Sequence, residues 1–152
     1  RSQGFSDALE QCGLDVDNRV AAEFTVESGE RAASNLLQAA PTIDFLWNHD
    51  DDQGVGVLAA IDNAGRDEFQ MIGGAGSANV MRDIQSGDSV LKATVVYPST
   101  QAADGVKLAR LIAQGKAMSD LAEVQVPRKV QLAAPVVTAD NVDEYLPSAF
   151  ES

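Results

Sequence analysis

The sequence is poor in basic residues and has no long apolar run. It contains 11 Lys and Arg residues against 23 Asp and Glu, and its net charge at pH 7 is −12. Because contacts to phosphates depend on Lys and Arg, this balance argues against nucleic acid and anionic membrane surfaces as partners. No window approaches the roughly 18 consecutive apolar residues of a membrane-spanning helix, so we expect no direct membrane insertion of this chain.

Residue types that carry catalysis or bind metals are also scarce. Cys12 is the single cysteine, so no internal disulfide can form, and we expect it to be a small core residue on the apolar face of a helix. His49 is the single histidine, and Ser77 has no G-x-S-x-G surroundings. We therefore expect no enzyme activity, no catalytic residues and no bound cofactor.

Hydrophobic periodicity predicts one domain in which strands alternate with helices. The predicted strands are 19–24, 43–47, 68–72 and 91–97, and the predicted helices are 2–12, one capped by Ser28 with an inner face that reaches Ala40, 53–64, 78–86 and 100–114. Residues 123–126 and 129–132 are predicted to form a hairpin or extended pair, and 138–142 to open a last short turn. Strands separated by helices of this length predict an α/β fold with a doubly wound parallel sheet.

One stretch, residues 45–56, combines strand, polar turn and helix. The turn carries His49 and three carboxylates, Asp50, Asp51 and Asp52, at the carboxyl end of a strand, where open α/β sheets bind ligands. A metal site is disfavoured because no second His or spaced Glu completes a ligand set. We expect Asp51 and Asp52 to stabilise the helix N-terminus and Asp50 to point toward a ligand.

A second turn, Gly73-Gly74-Ala75-Gly76, also lies between a predicted strand and a predicted helix. Its spacing fits neither G-x-G-x-x-G nor G-x-x-x-x-G-K-[ST], which disfavours a nucleotide site. The alternative is that the glycines form a tight turn and allow a ligand or neighbouring lobe to approach the backbone.

Two aromatic residues are candidates for ligand contacts. Trp47 shares a strand face with Phe45, and core packing is its expected role. Tyr97 ends its strand immediately before Pro98, at the same predicted sheet edge as Asp50. It could stack on a ligand or seal the end of the sheet, and the sequence leaves both open.

The order of these motifs resembles the type I periplasmic binding proteins, in particular the ribose-binding kind that supplies ABC importers. The matching segments are Arg1-Ser-Gln-Gly-Phe5, Pro41-Thr-Ile-Asp-Phe45, Asp50-Asp-Asp-Gln-Gly-Val-Gly56, Ile72-Gly-Gly-Ala-Gly-Ser77, Ile84-Gln-Ser-Gly87, Lys92-Ala-Thr-Val-Val-Tyr-Pro98, Gly115-Lys116 and Pro135-Val-Val-Thr-Ala-Asp-Asn-Val142. The resemblance covers almost the whole chain and implies a Rossmann-like lobe of a periplasmic binding protein.

The resemblance also implies how the chain is divided. Residues 1–97 would be the second, C-terminal ligand-binding lobe, in a chain cut from a longer parent. Residues 98–131 would cross the hinge and pack on the missing N-terminal lobe, and 132–152 would form the last crossing strand and the tail. We expect the apolar face of helix 100–114 to be displaced, disordered, or covered by another copy or by a first-lobe fragment.

Ligand-binding residues follow from the resemblance position by position. The sugar-contacting arginine falls on Arg1, the Asn or Asp at the strand end on Asp50, and the polar hinge residue on Tyr97. Where ribose binders carry Phe-Asp, this chain has Gly74-Ala75. That departure removes one ring and one carboxylate from the ribose pattern, and a sugar or sugar-like polyol remains the expected ligand class.

The resemblance further implies partners and a location. The ABC transporter membrane subunits are the expected partners, and the location is periplasmic or extracellular, with lipid anchoring through the missing N-terminus as one option. The alternative in this fold is the effector-binding domain of the lactose-repressor family, which usually carries Gly-Phe-Asp-Asp and Leu-Thr-Thr-Val. Here Gly-Gly-Ala-Gly and Ala-Thr-Val-Val stand at those places, so the importer is favoured.

Overall fold

Alternating apolar strands and amphipathic helices fold around a four-stranded sheet. A computed structural model of the protein describes residues 1–116 and 129–151. They divide into one unit of Arg1–Val96 with Val136–Ser152 and a second unit, Tyr97–Pro135. The sheet belongs to the first unit.

The elements follow the predicted alternation. They are α1 (Ser2–Gln11), α2 (Val26–Ala39), β1 (Phe45–Trp47), α3 (Asp51–Ala64), β2 (Gln70–Ala75), α4 (Ala78–Ser86), β3 (Leu91–Val96), α5 (Gln101–Ala113), β4 (Val136–Thr138), α6 (Val142–Tyr145) and a 3₁₀ turn (Leu146–Ser148). The strand order is β1-β2-β3-β4; the first three strands are parallel and β4 is antiparallel to β3. The predicted α/β class is confirmed, and the expectation of an entirely parallel sheet is wrong only at β4.

The core consists of side chains of β1, β2 and β3 that pack with side chains of α2, α3 and α4. Its buried members include Ala33, Leu37, Leu46, Val57, Ile61, Phe69, Met71, Ile84 and Leu91. Burying such aliphatic and aromatic side chains stabilises the fold by roughly 1.5–3 kcal/mol each. This packing fixes the positions from which the turns after β1 and β2 leave the sheet.

Helix ends were predicted well where glycine supplies them and less well where a side chain does. Gly65 and Gly87 end α3 and α4 in the left-handed conformation. The N-cap of α2 is Thr25 and not Ser28, because the Thr25 side chain accepts a hydrogen bond from Ser28 N. Ser28 is instead buried inside the helix and accepts a hydrogen bond from Glu23 N at 3.0 Å.

The predicted strand at residues 19–24 is absent, and β1 is the outer strand of the described sheet. Asp44 O accepts a hydrogen bond from Gln70 N at 3.2 Å, and Asn48 N donates to Ile72 O at 2.9 Å, both in the direction of β2. Because main-chain groups alternate in direction along a strand, those of Phe45 and Trp47 point away from β2. A cavity of about 810 Å³ lies on that side, between β1, α1, α2 and residues 13–20. Residues 19–24 therefore have no adjacent strand to pair with, and strand propensity alone does not form a ladder.

Two expected core residues lie outside the core. Cys12 is exposed, because α1 has no buried residue and Cys12 follows its last turn. On β1 the alternation of side chains buries Leu46, which leaves Phe45 60% exposed and Trp47 half-buried. The prediction that Trp47 and Phe45 share the core face is wrong for that reason.

Among its described residues, the second unit contains one helix, α5. Every residue of α5 is exposed or half-buried, and Val106 and Ile112 are 71% and 64% exposed. Burial of this helix against a further lobe, like the predicted division at 97/98 and 131/132, stays a prediction. Of the predicted extended pair, 123–126 lies outside the described residues, and 129–132 is not in a strand. Within the described ranges, none of the helices is both long and apolar enough to cross a membrane.

Candidate functional site

The candidate site lies where the turns after β1 and β2 leave the sheet side by side. Trp47 at the end of β1 pairs with Ile72 in β2, and Asn48 N donates to Ile72 O at 2.9 Å. Because the strands are parallel, residues 48–52 and 73–77 meet at one edge. Neighbouring turns at this edge are where α/β sheets present polar groups to ligands.

Asp50 is the N-cap of α3. One oxygen of its half-buried carboxylate accepts a hydrogen bond from Asp52 N at 3.2 Å, with the extended backbone typical of a cap. Its main-chain carbonyl accepts a hydrogen bond from the buried Asn48 side chain. The capping role predicted for Asp51 and Asp52 thus belongs to Asp50. The predicted ligand contact of Asp50 stays a prediction.

Asp51 is 1% exposed and points into the protein. Its Oδ2 accepts hydrogen bonds from Gly76 N and Ser77 N, both at 2.8 Å, and from Ser77 Oγ at 3.1 Å. Its Oδ1 accepts from Gly74 N at 3.1 Å and from Thr94 Oγ1 at 3.3 Å. One buried carboxylate therefore joins the start of α3 to the β2–α4 turn and to β3.

The segment 73–77, called the β2–α4 turn here, consists of the last three residues of β2 and the two residues that connect it to α4, and its glycines allow close approaches. A Cβ atom on Gly73 would lie 2.9 Å from Asp51 Oδ1, and one on Gly76 would lie 2.8 Å from Val96 Cγ2. Gly76 has φ +84°, and Ala75 has φ +137°, a region that residues with a Cβ rarely adopt. β2 continues to Ala75, so Gly73, Gly74 and Ala75 are strand residues paired with β3, and the tight-turn interpretation is wrong for them. Gly74 N lies beside the start of α3, where it donates to Asp51 Oδ1.

An aromatic cluster lies at the end of β1. Trp47 stacks on Phe5 of α1 with ring centroids 4.5 Å apart and contacts the His49 ring at 4.1 Å. Ser2 Oγ is 3.5 Å from His49 Nε2. Burial, and then the positive charge of Arg1, lower the pKa of His49 below its usual value of 6.5. Arg1, the exposed N-cap of α1, thus acts electrostatically on the turn that carries Asp50.

Of the predicted site residues, Asp50, Gly74 and Ala75 lie at one edge of the sheet, and the charge of Arg1 lowers the pKa of His49, the residue before Asp50. Their ligand contacts stay predictions. Tyr97 directly follows Val96, the register partner of Ala75, and opens the second unit, where it is half-buried. Its predicted ligand contact stays a prediction. Within the described ranges, no group of three or more His, Cys, Asp or Glu residues could hold a metal ion.

Sequence reasoning missed Phe24. Its side chain is 60% exposed, and Gln53 of α3 donates to the carbonyl of the preceding residue, Glu23, at 2.9 Å. The main chain next to Phe24 is therefore held at the first turn of α3. The available signal was an aromatic residue directly before the helix cap Thr25: an apolar side chain there often packs on the fourth helical residue, but in α2 that residue is Gly29, which has no side chain.

Comparison with known proteins gives a consistent result. The family model for the periplasmic binding protein domain matches residues 1–117. The ribose import binding protein of Bacillus subtilis (strain 168) is 32% identical over 113 residues, which cover 70% of this chain and 36% of that protein. The D-ribose/D-allose-binding protein of Pseudomonas aeruginosa is 23% identical over 116 residues, 76% of this chain and 36% of that protein.

Solved structures show the same fold. A galactofuranose binding protein superposes with a TM-score of 0.78 at 17% identity, covering 97% of this chain and 49% of that one. A solute-binding protein from Bacillus halodurans C-125 with bound myo-inositol superposes with a TM-score of 0.74 at 26% identity, covering 96% of this chain and 48% of that one. The chain thus spans about half of these structures and just over a third of the curated relatives it matches.

Proposed function

Since this chain belongs to the type I periplasmic binding proteins, we propose that it forms one lobe of the sugar- or polyol-binding component of an ABC importer. The observation that carries the proposal is that two polar segments meet: the Asp50 carboxylate follows the end of β1, next to Asp51, which accepts hydrogen bonds from Gly74, Gly76 and Ser77 at the end of β2. The relatives support a polyhydroxylated ligand, because those described above are named for ribose or allose or carry bound myo-inositol.

The chemistry of a sugar explains the residue types. A sugar offers neutral hydroxyls, which donate well to a carboxylate, and weakly polar ring faces, which stack on aromatic rings. Asp50 would accept from adjacent hydroxyls and Arg1 would donate to hydroxyl or ring oxygens. The exposed ring of Phe24 would be a stacking platform, and Tyr97 is a second candidate at the hinge.

The whole protein would bind its ligand in a cleft between two lobes. Closure would require the N-terminal lobe, and delivery would require the membrane subunits of the transporter. We place such a protein in the periplasm or outside the cell, with lipid anchoring as one mode of attachment. No contact described above, and none of the relatives named, favours the repressor-type alternative.

The test compares Asp50→Asn with Asp52→Asn. Asparagine caps a helix as well as aspartate does, so Asp50→Asn keeps the start of α3 and removes the charge that would bind hydroxyls. Hydrogen bonds to charged groups contribute about 1.5–3 kcal/mol, so affinity should fall by roughly 10- to 150-fold. The exposed neighbour Asp52 offers the same change of charge, and Asp52→Asn should leave affinity within about threefold.

The measurement is amide NMR titration of the 152-residue chain at millimolar concentrations of D-ribose, D-allose, L-arabinose, myo-inositol and allitol. One lobe alone should bind weakly, so the shifts of residues 48–52 and 73–77 identify the site. Equal, small effects of both substitutions would remove Asp50 from the site. If none of the five ligands shifted either turn, the proposed function would be wrong.

A further inference from the structure

We propose that the Asp51 carboxylate is a built-in anion that fills the anion-binding position of the β2–α4 turn, and that it thereby restricts ligands at this edge to uncharged sugars and polyols. The statement about ligands rests on the proposed function. The statement about Asp51 does not, since it follows from contacts within the chain.

The β2–α4 turn shares three features with phosphate-binding turns. It joins a strand to a helix, is rich in glycine, and carries Ala75 and Gly76 at φ +137° and +84°. Backbone N–H groups that point to one side at a helix N-terminus bind anions. Turns of this kind commonly hold phosphates in α/β proteins.

In this protein three N–H groups of this segment already donate to a carboxylate of the same chain. Gly74 N, Gly76 N and Ser77 N donate to the two oxygens of Asp51 at 3.1, 2.8 and 2.8 Å. The next N–H along, that of Ala78, donates to Phe150 O at 2.8 Å. Four N–H donors, from Gly74 near the end of β2 to Ala78 at the start of α4, therefore have acceptors within the chain.

The space around the Asp51 carboxylate is too small to hold a second anion. The carboxylate is 1% exposed, and the hydroxyls of Ser77 and Thr94 complete its shell. Gly73 is needed at its place, because a Cβ there would lie 2.9 Å from Oδ1. A ligand phosphate would have to displace a buried charge that five donors stabilise, and the carboxylates of Asp50 and Asp52 nearby would repel it.

The first experiment is anion rescue of Asp51→Gly in the 152-residue chain. This change removes the carboxylate and its Cβ, and leaves a cavity lined by three N–H groups and two hydroxyls that formate can enter. We expect formate to raise the melting temperature of Asp51→Gly saturably, relative to chloride at equal ionic strength, and to shift the amides of Gly74, Gly76 and Ser77.

Asp52→Gly is the matched control, since it makes the same substitution at the exposed next residue of α3. It should lose helix stability without any formate response beyond that of chloride. An equal formate response in the two variants would overturn the proposal. If Asp51→Gly folds only in formate, the proposal is supported.

Asp51→Asn decides the question if Asp51→Gly folds in neither salt. An amide side chain has one oxygen, so its NH₂ group must face Gly74 N or else both Gly76 N and Ser77 N. We expect hydrogen exchange at one of these positions to become at least tenfold faster while the rest of α4 remains protected. Unchanged exchange at all three amides would overturn the proposal.

The ligand class is tested with D-ribose and D-ribose 5-phosphate. The proposal expects the phosphate ester to leave the Gly74, Gly76 and Ser77 amides of the wild-type chain unshifted and to shift them in Asp51→Gly. Binding of the ester through these three amides in the wild type would overturn it. If neutral sugars also leave residues 48–52 unshifted, the proposed function fails, while the formate comparison still decides the role of Asp51.

Discussion

A Cβ atom added to Gly56 would lie 1.9 Å from the carbonyl oxygen of Val26, so α2 and α3 pack with their backbones in direct contact. The relationship is reciprocal, because a Cβ on Gly29 of α2 would lie 2.2 Å from the carbonyl oxygen of Gln53. This close crossing brings Glu23 against the first turn of α3, where Gln53 donates to its carbonyl. The geometry of the candidate site therefore depends on two glycines that do not belong to it.

Gly56→Ala should destabilise the protein by about 3 kcal/mol, because the helices must separate and the core between them must loosen. Gly4→Ala is the control: Gly4 also lies in a helix, with nothing within 4 Å of an added Cβ. It should stabilise the protein by about 0.5–1 kcal/mol through helix propensity. Urea unfolding measures both, and a Gly56→Ala variant within about 0.5 kcal/mol of wild type would contradict the close crossing.

Ala75→Gly should stabilise the protein, although Ala→Gly substitutions usually do the opposite. Ala75 has φ +137°, where a Cβ costs about 1–3 kcal/mol and glycine adopts the conformation freely. The greater entropy of glycine in the unfolded chain offsets about 0.4–1 kcal/mol of this, so a net gain of roughly 1 kcal/mol is expected. Ala8→Gly, at an exposed position of α1, should instead lose about 1 kcal/mol. If Ala75→Gly lowered the melting temperature as much as Ala8→Gly does, the backbone at Ala75 would not be strained.

His49 should make stability depend on pH near neutrality. Burial first, and then the charges of Arg1 and Arg19, lower its pKa below 6.5 in the folded state. The unfolded state then binds more protons, so the contribution of His49 to stability is fully present above pH 6.5. It is lost as the pH falls from 6.5 through the lower folded pKa.

His49→Gln removes this contribution. Between pH 7.5 and pH 5.5 the wild-type chain should lose more stability than the variant, as measured by urea midpoints at both pH values. Most carboxylates titrate below this window and are common to both proteins. Equal losses of unfolding free energy in the two proteins would mean that folding does not lower the pKa of His49.

The sequence by itself determined the alternation of elements and the place of the two turns. Glycines at the ends of α3 and α4, apolar periodicity and the strand-turn-helix pattern around Asp50 all act between near neighbours, and each was predicted from local rules. The family resemblance was available from motif order for the same reason, since the spacing between turns follows from the lengths of the elements.

Only the tertiary structure decided what Asp50, Asp51 and residues 19–24 do. Three adjacent carboxylates look alike in sequence, and Asp51 becomes a buried acceptor because folding brings Ser77, 26 residues away, within 2.8 Å of it. Residues 19–24 have strand-like composition, but a strand requires hydrogen bonds from a neighbour, and their neighbourhood holds a cavity. A side chain's local pattern specifies its element, whereas its partner depends on which distant segment packs beside it.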